Sequence, residues 1–380
     1  MLQASEGSSV ASSIGRGTPV VVTGATGFIG GRLVERLAAD GCDVTCLIRG
    51  MDAGTRLHRA GARIRSLNLT DAEAVAASLQ GAEIVFHLAY DWEDTAWNYH
   101  ALHALIEACR SAGCRRLVYV SSFVVYDIPP EGEVSEDSLR STATDGYAHT
   151  KLELEAEVLK AVREKGVPAT IIQPTIVYGP FSKPWTDVPA DMLRYGTVVL
   201  PDAGDGICNA VYVDDVVSAM ILAAVRPEAV GQRYLVSGPP ITWKQFYEGI
   251  ARAIGAKGPQ CWPVAKIASA SSKAGKLRRL VTDPEDAVRR IALARRLVKV
   301  GLLFLRGGAG RAVRNRLFGP IAQWRGEHVP DPGRLNFLRS RARIESTKAR
   351  RELGYAPAFS FDDGMLPTAK YLNEHHFRTD

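Results

Sequence analysis

The chain has 380 residues, of which 46% are hydrophobic, 23% charged and 8% aromatic. Those are globular proportions, which exclude wholesale disorder, collagen and a coiled coil, and the length suits two domains or one large α/β unit with an appendage. The net charge of +6 is uneven: residues 266–316 hold 14 Lys/Arg against 3 Asp/Glu and the rest is mildly acidic, so the basic balance is no sign of a nucleic-acid partner.

Residues 1–17 are Ser/Gly-rich without an apolar core of signal-peptide length, and read as a flexible tail on a cytoplasmic protein. No window reaches the roughly 18 apolar residues of a membrane span. Pro19–Gly24 is a short β-branched run, the pattern of a buried strand. It passes through Gly-Ala-Thr-Gly-Phe-Ile-Gly into Arg32–Ala39, which has helical spacing. Asp43–Ile48, Ile64–Leu67, Glu83–Leu88, Arg116–Ser121 and Ala169–Gln173 read as further strands. Helical stretches at Asp71–Leu79, Trp97–Ser111 and Tyr147–Lys165 separate them. Strands alternating with helices predict a parallel sheet covered on both faces. Beyond Pro180 the rhythm loosens, with short strands at Val198–Leu200, Ala210–Val213 and Tyr234–Val236 and helices at Val216–Val225 and Trp243–Ile254. Arg289–Leu305 interleaves Arg/Lys pairs with apolar residues. As a helix it suits domain packing, a pocket lid, an anionic membrane surface or a partner. Six cysteines, Cys42, Cys46, Cys109, Cys114, Cys208 and Cys261, form no CxxC pair and read as reduced thiols rather than metal ligands.

Gly24, Gly27 and Gly30 stand between a strand and a helix, where chemistry needs them. Glycine permits the tight turn and lets the backbone approach a pyrophosphate, while the helix start offers free N–H groups and partial positive charge. Tyr147-Ala-His-Thr-Lys151 is a YxxxK, whose phenol and ammonium share one helix face. A nearby cation favours the phenolate and makes tyrosine usable in acid/base work. Tyr147 follows Ser122, at the end of a strand, by 25 residues, and the C-terminal edge of a parallel sheet is where such sites form.

Thr23-Gly-Ala-Thr-Gly-Phe-Ile-Gly30 and the Ser122, Tyr147, Lys151 spacing resemble the extended short-chain dehydrogenase/reductase family, in its NAD-dependent epimerase/dehydratase group. The resemblance runs from Val20 to about Leu372, apart from the basic segment. It implies a Rossmann-type α/β doubly wound parallel sheet with a smaller C-terminal α/β substrate domain. The implied division is tail 1–17, NAD(P)-binding domain 18–180 and substrate region 181–372, with a basic helical insert at 266–316 and some segments returning to the first domain. By the same resemblance Ser122 hydrogen-bonds the substrate oxygen, Tyr147 moves its proton and Lys151 holds the nicotinamide ribose. Asn98 matches an asparagine placed behind the lysine. The implied cofactor residues are Gly24, Thr26, Gly27, Phe28, Ile29, Gly30, Arg49, Asn68, Leu69, Leu88, Ala89, Tyr147, Lys151, Pro174 and Ile176. His87 is expected to be a packed core histidine, and Asp214 or Asp215 a helix cap.

At the end of the second strand Ile48 occupies the place of the NAD-preferring acid and Arg49 follows it. A guanidinium pairs bidentately with a 2′-phosphate, which favours NADP(H) over NAD(H); a solvated surface charge or a stack on adenine is the alternative. Phe123 and Val124 after Ser122 cannot exchange the protons that sugar dehydration needs. Ile176 and Cys208 stand where nucleotide-sugar members carry Asn and Arg. The expected function is hydride transfer at a secondary alcohol or ketone carbon, of a nucleotide sugar or, as in hydroxysteroid dehydrogenase-like and flavonoid reductase-like relatives, of an uncharged small molecule. The family also implies a homodimer. A non-catalytic NADPH-binding regulator or scaffold is the reading from another class.

Overall fold

The computed structural model describes residues 13–50, 55–272 and 326–377. Seven strands form one parallel sheet. In spatial order they are Arg233–Val236, Ala169–Pro174, Arg116–Val120, Ile84–His87, Pro19–Thr23, Asp43–Ile48 and Arg63–Ser66. Alternate side chains enter opposite layers. Val20, Val22 and Cys46 pack with Leu33, Val34 and Leu37 of the helix Phe28–Ala39 and with Val216 and Met220 of the helix Val213–Val225. Val21, Val85 and Tyr119 pack instead with Leu102, Leu105 and Val158, from the helices Thr95–Ala112 and Gly146–Lys165. Both faces are therefore covered, which is why the strands read as continuous apolar runs.

The chain enters the sheet at Pro19–Thr23 and builds outward to one side, then to the other, through Ile84–His87. Between these two neighbours lies the switch point, the crevice where open α/β sheets take ligands. Past residue 180 the chain builds a smaller layer. Gly196–Pro201 pairs in parallel with Gln260–Trp262 and Gly326–His328, and Ile176–Tyr178 with Ala210–Tyr212.

Three expectations are corrected or lie elsewhere. Ile14 is buried and Gly17 N donates to Gly41 O at 2.8 Å, so residues 13–17 are anchored rather than part of a tail. Neither Asp214 nor Asp215 caps its helix, whose N-cap is Tyr212. Asp214 instead accepts from Arg32 Nη2 at 2.8 Å, and buried Asp215 accepts from Ala358 N at 2.7 Å. The helix expected at 289–305 lies outside the described residues, as does most of 266–316. Among the described residues no helix is long and apolar enough to cross a membrane.

Candidate functional site

The glycine loop divides its labour. Gly24 has φ +68°, and a Cβ there would lie 2.6 Å from Ala89 N. A Cβ on Gly30 would lie 2.2 Å from Gly24 O, so no side chain fits between helix and loop. Gly27 is different: a Cβ would meet only Gly24 O, at 3.2 Å. Gly27 is also the N-cap of the helix Phe28–Ala39 and offers no capping side chain. The first N–H groups of that helix are thus left for a ligand.

Ser122 lies two residues past the strand Arg116–Val120 and caps a short 3-10 turn, where its Oγ accepts from Val124 N at 3.4 Å. Tyr147 and Lys151 stand one turn apart at the start of Gly146–Lys165. Lys151 is buried and donates to Val120 O at 2.9 Å and to Tyr119 Oη at 3.2 Å. Its Nζ lies 4.9 Å from the ring centres of both Tyr90 and Tyr119, and 5.8 Å from that of Tyr147. Burial lowers Lys151 to about 7, opposed by the charge of Glu155. Burial, then Tyr90, push Tyr147 well above the ordinary phenol value, and its hydrogen bond with Ser122 opposes that rise. In this arrangement the phenol keeps its proton at neutral pH. The expected lowering of Tyr147 by the lysine is not what dominates here, because burial of the phenol itself outweighs it.

Beyond the strand Ile84–His87 the chain places Tyr90 and Trp92 against Tyr147. Trp92 stacks on it with ring centres 4.7 Å apart, and Tyr90 meets it edge-on at 5.1 Å. Arg49 Nη1 donates to Asp91 Oδ2 at 2.6 Å, and its guanidinium lies over Trp97 at 5.3 Å. His87 is core: Thr23 Oγ1 is 2.7 Å from its Nδ1, and burial lowers it to about 3.

One cavity of about 910 Å³ joins these parts. It is lined by Gly24, Thr26, Gly27, Phe28, Ile29, Gly30, Arg49, Leu69, Leu88, Ala89, Ser122, Tyr147, Lys151 and Pro174, all singled out from the sequence. Asn68, Asn98 and Ile176 are not on its wall. Asn98 is buried and gives its amide to the loop before its helix: Oδ1 accepts from Asp91 N at 2.8 Å, and Nδ2 donates to Asp91 O at 2.8 Å and Asp94 O at 3.2 Å. Asn68 Oδ1 accepts from Trp97 Nε1 at 2.9 Å, so it orients a wall residue. Ile176 is buried in the small sheet opposite Ala210. Sequence reasoning missed Tyr126, Trp185 and Phe337 on the wall, and Tyr119 behind Lys151. It also missed Ser121, a residue of the cavity lining whose buried Oγ has no hydrogen-bond partner. The doubled Ser121-Ser122 was a usable signal; nothing near Phe337 was.

Cavity size and the uncapped helix start at Gly27 both fit a dinucleotide. Among the described residues no group of three or more His, Cys, Asp or Glu is placed to hold a metal ion.

A doubly wound sheet with a glycine loop at its switch point defines an α/β protein of the dinucleotide-binding class. The chain belongs to the NAD dependent epimerase/dehydratase family, whose profile matches residues 20–237. It is 33% identical over 263 residues to UDP-glucose 4-epimerase of Mycolicibacterium smegmatis, covering 62% of this chain and 82% of that one. It is 26% identical over 385 residues to 3beta-hydroxysteroid-dehydrogenase/decarboxylase isoform 1 of Arabidopsis thaliana, covering 92% and 78%. The UDP-glucose 4-epimerase structure from Thermotoga maritima superposes with a TM-score of 0.65 at 21% identity, covering 93% of this chain and 98% of that one, a likeness of fold.

Proposed function

We propose that the chain is an NAD(P)-dependent reductase or dehydrogenase acting on a secondary alcohol or ketone of an uncharged, largely apolar substrate. The observation that carries this is the wall around Tyr147. Tyr90, Trp92, Phe123, Val124, Tyr126, Ile128, Trp185 and Phe337 line it, and among the described residues its cations are Arg49 and Lys151 alone. A substrate diphosphate would need further cations or donors.

Gly24, Gly27, Gly30 and the helix start would hold the dinucleotide pyrophosphate, with Arg49 favouring a 2′-phosphate. The bound nicotinamide supplies or accepts the hydride. Ser122 Oγ holds the substrate oxygen. Tyr147 Oη gives that oxygen a proton in the reducing direction and takes it back in oxidation. Burial keeps Tyr147 protonated, which suits a proton donor to a developing alkoxide. Lys151 sits on the same helix face to bind the ribose. Asn98 and Asn68 act through what they hold: the 91–94 loop and Trp97. Residues 18–180 are the cofactor domain in this reading, and a homodimer is its expected assembly.

A nucleotide-sugar epimerase is the second reading, favoured by the 33% relative. The test has two parts. Nucleotide released on denaturation is identified by mass spectrometry, then cyclic ketones and UDP-sugars are assayed with NADPH and NADH. NADPH-dependent ketone turnover that falls about 100-fold or more in Tyr147→Phe, with NADPH affinity retained, supports the reductase. About one tightly held NAD(H) per chain with UDP-sugar interconversion supports the epimerase. Turnover unchanged in Tyr147→Phe removes the triad from both.

A further inference from the structure

Arg49 and its partner differ in how firmly they are held. The Arg49 side chain is 63% exposed, whereas that of Asp91 is 14% exposed. Asp91 Oδ1 accepts from Glu93 N at 2.9 Å and from Asp94 N at 3.0 Å. Its backbone N–H and C=O are both taken by the Asn98 amide. Only Oδ2 faces Arg49, at 2.6 Å. The carboxylate is thus fixed in place, and the guanidinium is the adjustable member of the pair. The hydrogen bonds from Asp94 N and Glu93 N, and then Arg49, hold the carboxyl below its usual range, so it stays charged at neutral pH.

We propose that Asp91 is a specificity-determining residue for the cofactor: by occupying Arg49 it weakens the preference for a 2′-phosphate over a 2′-hydroxyl. The inference rests on the reading of Arg49 given above. A 2′-phosphate must take the guanidinium from Asp91 and also meets the repulsion of that carboxylate. A 2′-hydroxyl meets neither cost.

Calorimetric titration of NADPH and NADH into wild type, Asp91→Asn and Arg49→Ala tests this without any turnover. Asparagine keeps the Oδ1 acceptor that the 93–94 turn uses, and a thermal melt of each variant checks the fold. In Asp91→Asn, NADPH is expected to bind about threefold tighter or more, with NADH changed less than about twofold, and the gain to shrink as salt rises. Arg49→Ala is expected to erase the difference between the two cofactors. If Asp91→Asn shifts both cofactors equally, or shifts neither while Arg49→Ala still erases the difference, the proposal is overturned and the Arg49 reading stands. If NADH alone weakens in Asp91→Asn, the carboxylate holds a ribose hydroxyl and the proposal is overturned. If Arg49→Ala changes neither affinity, both fall.

Discussion

Lys151 is an ammonium taken out of water at the end of a strand, and the cost shows as a value lowered from 10.5 to about 7. The opposing charge is Glu155, one turn further along the helix. Glu155 is buried, paired with Arg140, and accepts from Gln173 Nε2 at 2.7 Å. Between pH 7 and 10.5 the unfolded chain binds a proton at this site that the folded chain does not, so stability rises with pH across that window. The contribution is complete above 10.5 and is lost as pH falls through about 7. Lys151→Met removes it. The difference in unfolding free energy between wild type and that variant is therefore expected to move in favour of wild type by up to about 1.4 kcal/mol per pH unit within the window, measured by urea titration at several pH values. At this scale the sequence made the motif residues legible and their partners opaque. Tyr147 and Lys151 are four apart, so helix geometry alone brings them together. Tyr119 is 32 residues from Lys151, and Asp91 is 42 from Arg49, separations that only the sheet order closes.

The glycine loop shows how one element carries both packing and binding. Gly30 packs the helix against the loop, and Gly27 opens the cavity. Gly30→Ala forces its methyl into Gly24 O and is expected to cost about 1–3 kcal/mol in urea unfolding, as overpacking does. Gly27→Ala is expected to leave the urea midpoint nearly unchanged and to weaken NADPH binding in a calorimetric titration. Comparable losses of stability in the two variants would contradict this division. Elements of this kind were well marked in the sequence. The strand Asp43–Ile48 and the helix Trp243–Ile254 match to the residue, and Tyr147–Lys165 extends by Gly146 alone. Glycine explains the stop at Gly166, which has φ +67°. The reading failed where side chains serve tertiary contacts. Asp214 and Asp215 look like caps, but one reaches across to Arg32 and the other fastens Ala358. Propensity says nothing of such remote partners.

Across the whole molecule, the C-terminal segment closes back over the cavity wall. His376 Nε2 lies 3.0 Å from Asp191 Oδ1 and its Nδ1 3.9 Å from Asp187 Oδ1. Asp187 ends the Lys183–Asp187 turn that places Pro184 and Trp185 at the cavity. The hydrogen bond to Asp191 raises His376 above 6.5. That tie is complete below 6.5 and is lost as pH rises through the raised value. The melting temperature of wild type is expected to exceed that of His376→Gln most below pH 6.5, and the gap to close as pH rises through the raised value. Architecture at this scale was legible as far as the parallel sheet, because alternating strands and helices admit few topologies. The arrival of Phe337 from the helix Pro332–Arg339 was not, since no local pattern marks it.

The strand Arg233–Val236 comes late in the chain yet closes the edge beside Ala169–Pro174. It is itself covered: Leu235 N donates to Glu136 Oε1 at 2.7 Å, and Ser237 N to Ser346 Oγ at 2.8 Å. A ribosome that has released only the first 180 residues has therefore made a sheet with a bare, apolar flank, open to pairing with any neighbouring chain. Anyone cutting this gene for a two-hybrid bait or a soluble tag fusion should place the stop beyond residue 353, because a shorter piece lacks either this edge strand or the Ser346 hydroxyl and the helix Thr347–Leu353 that cover it.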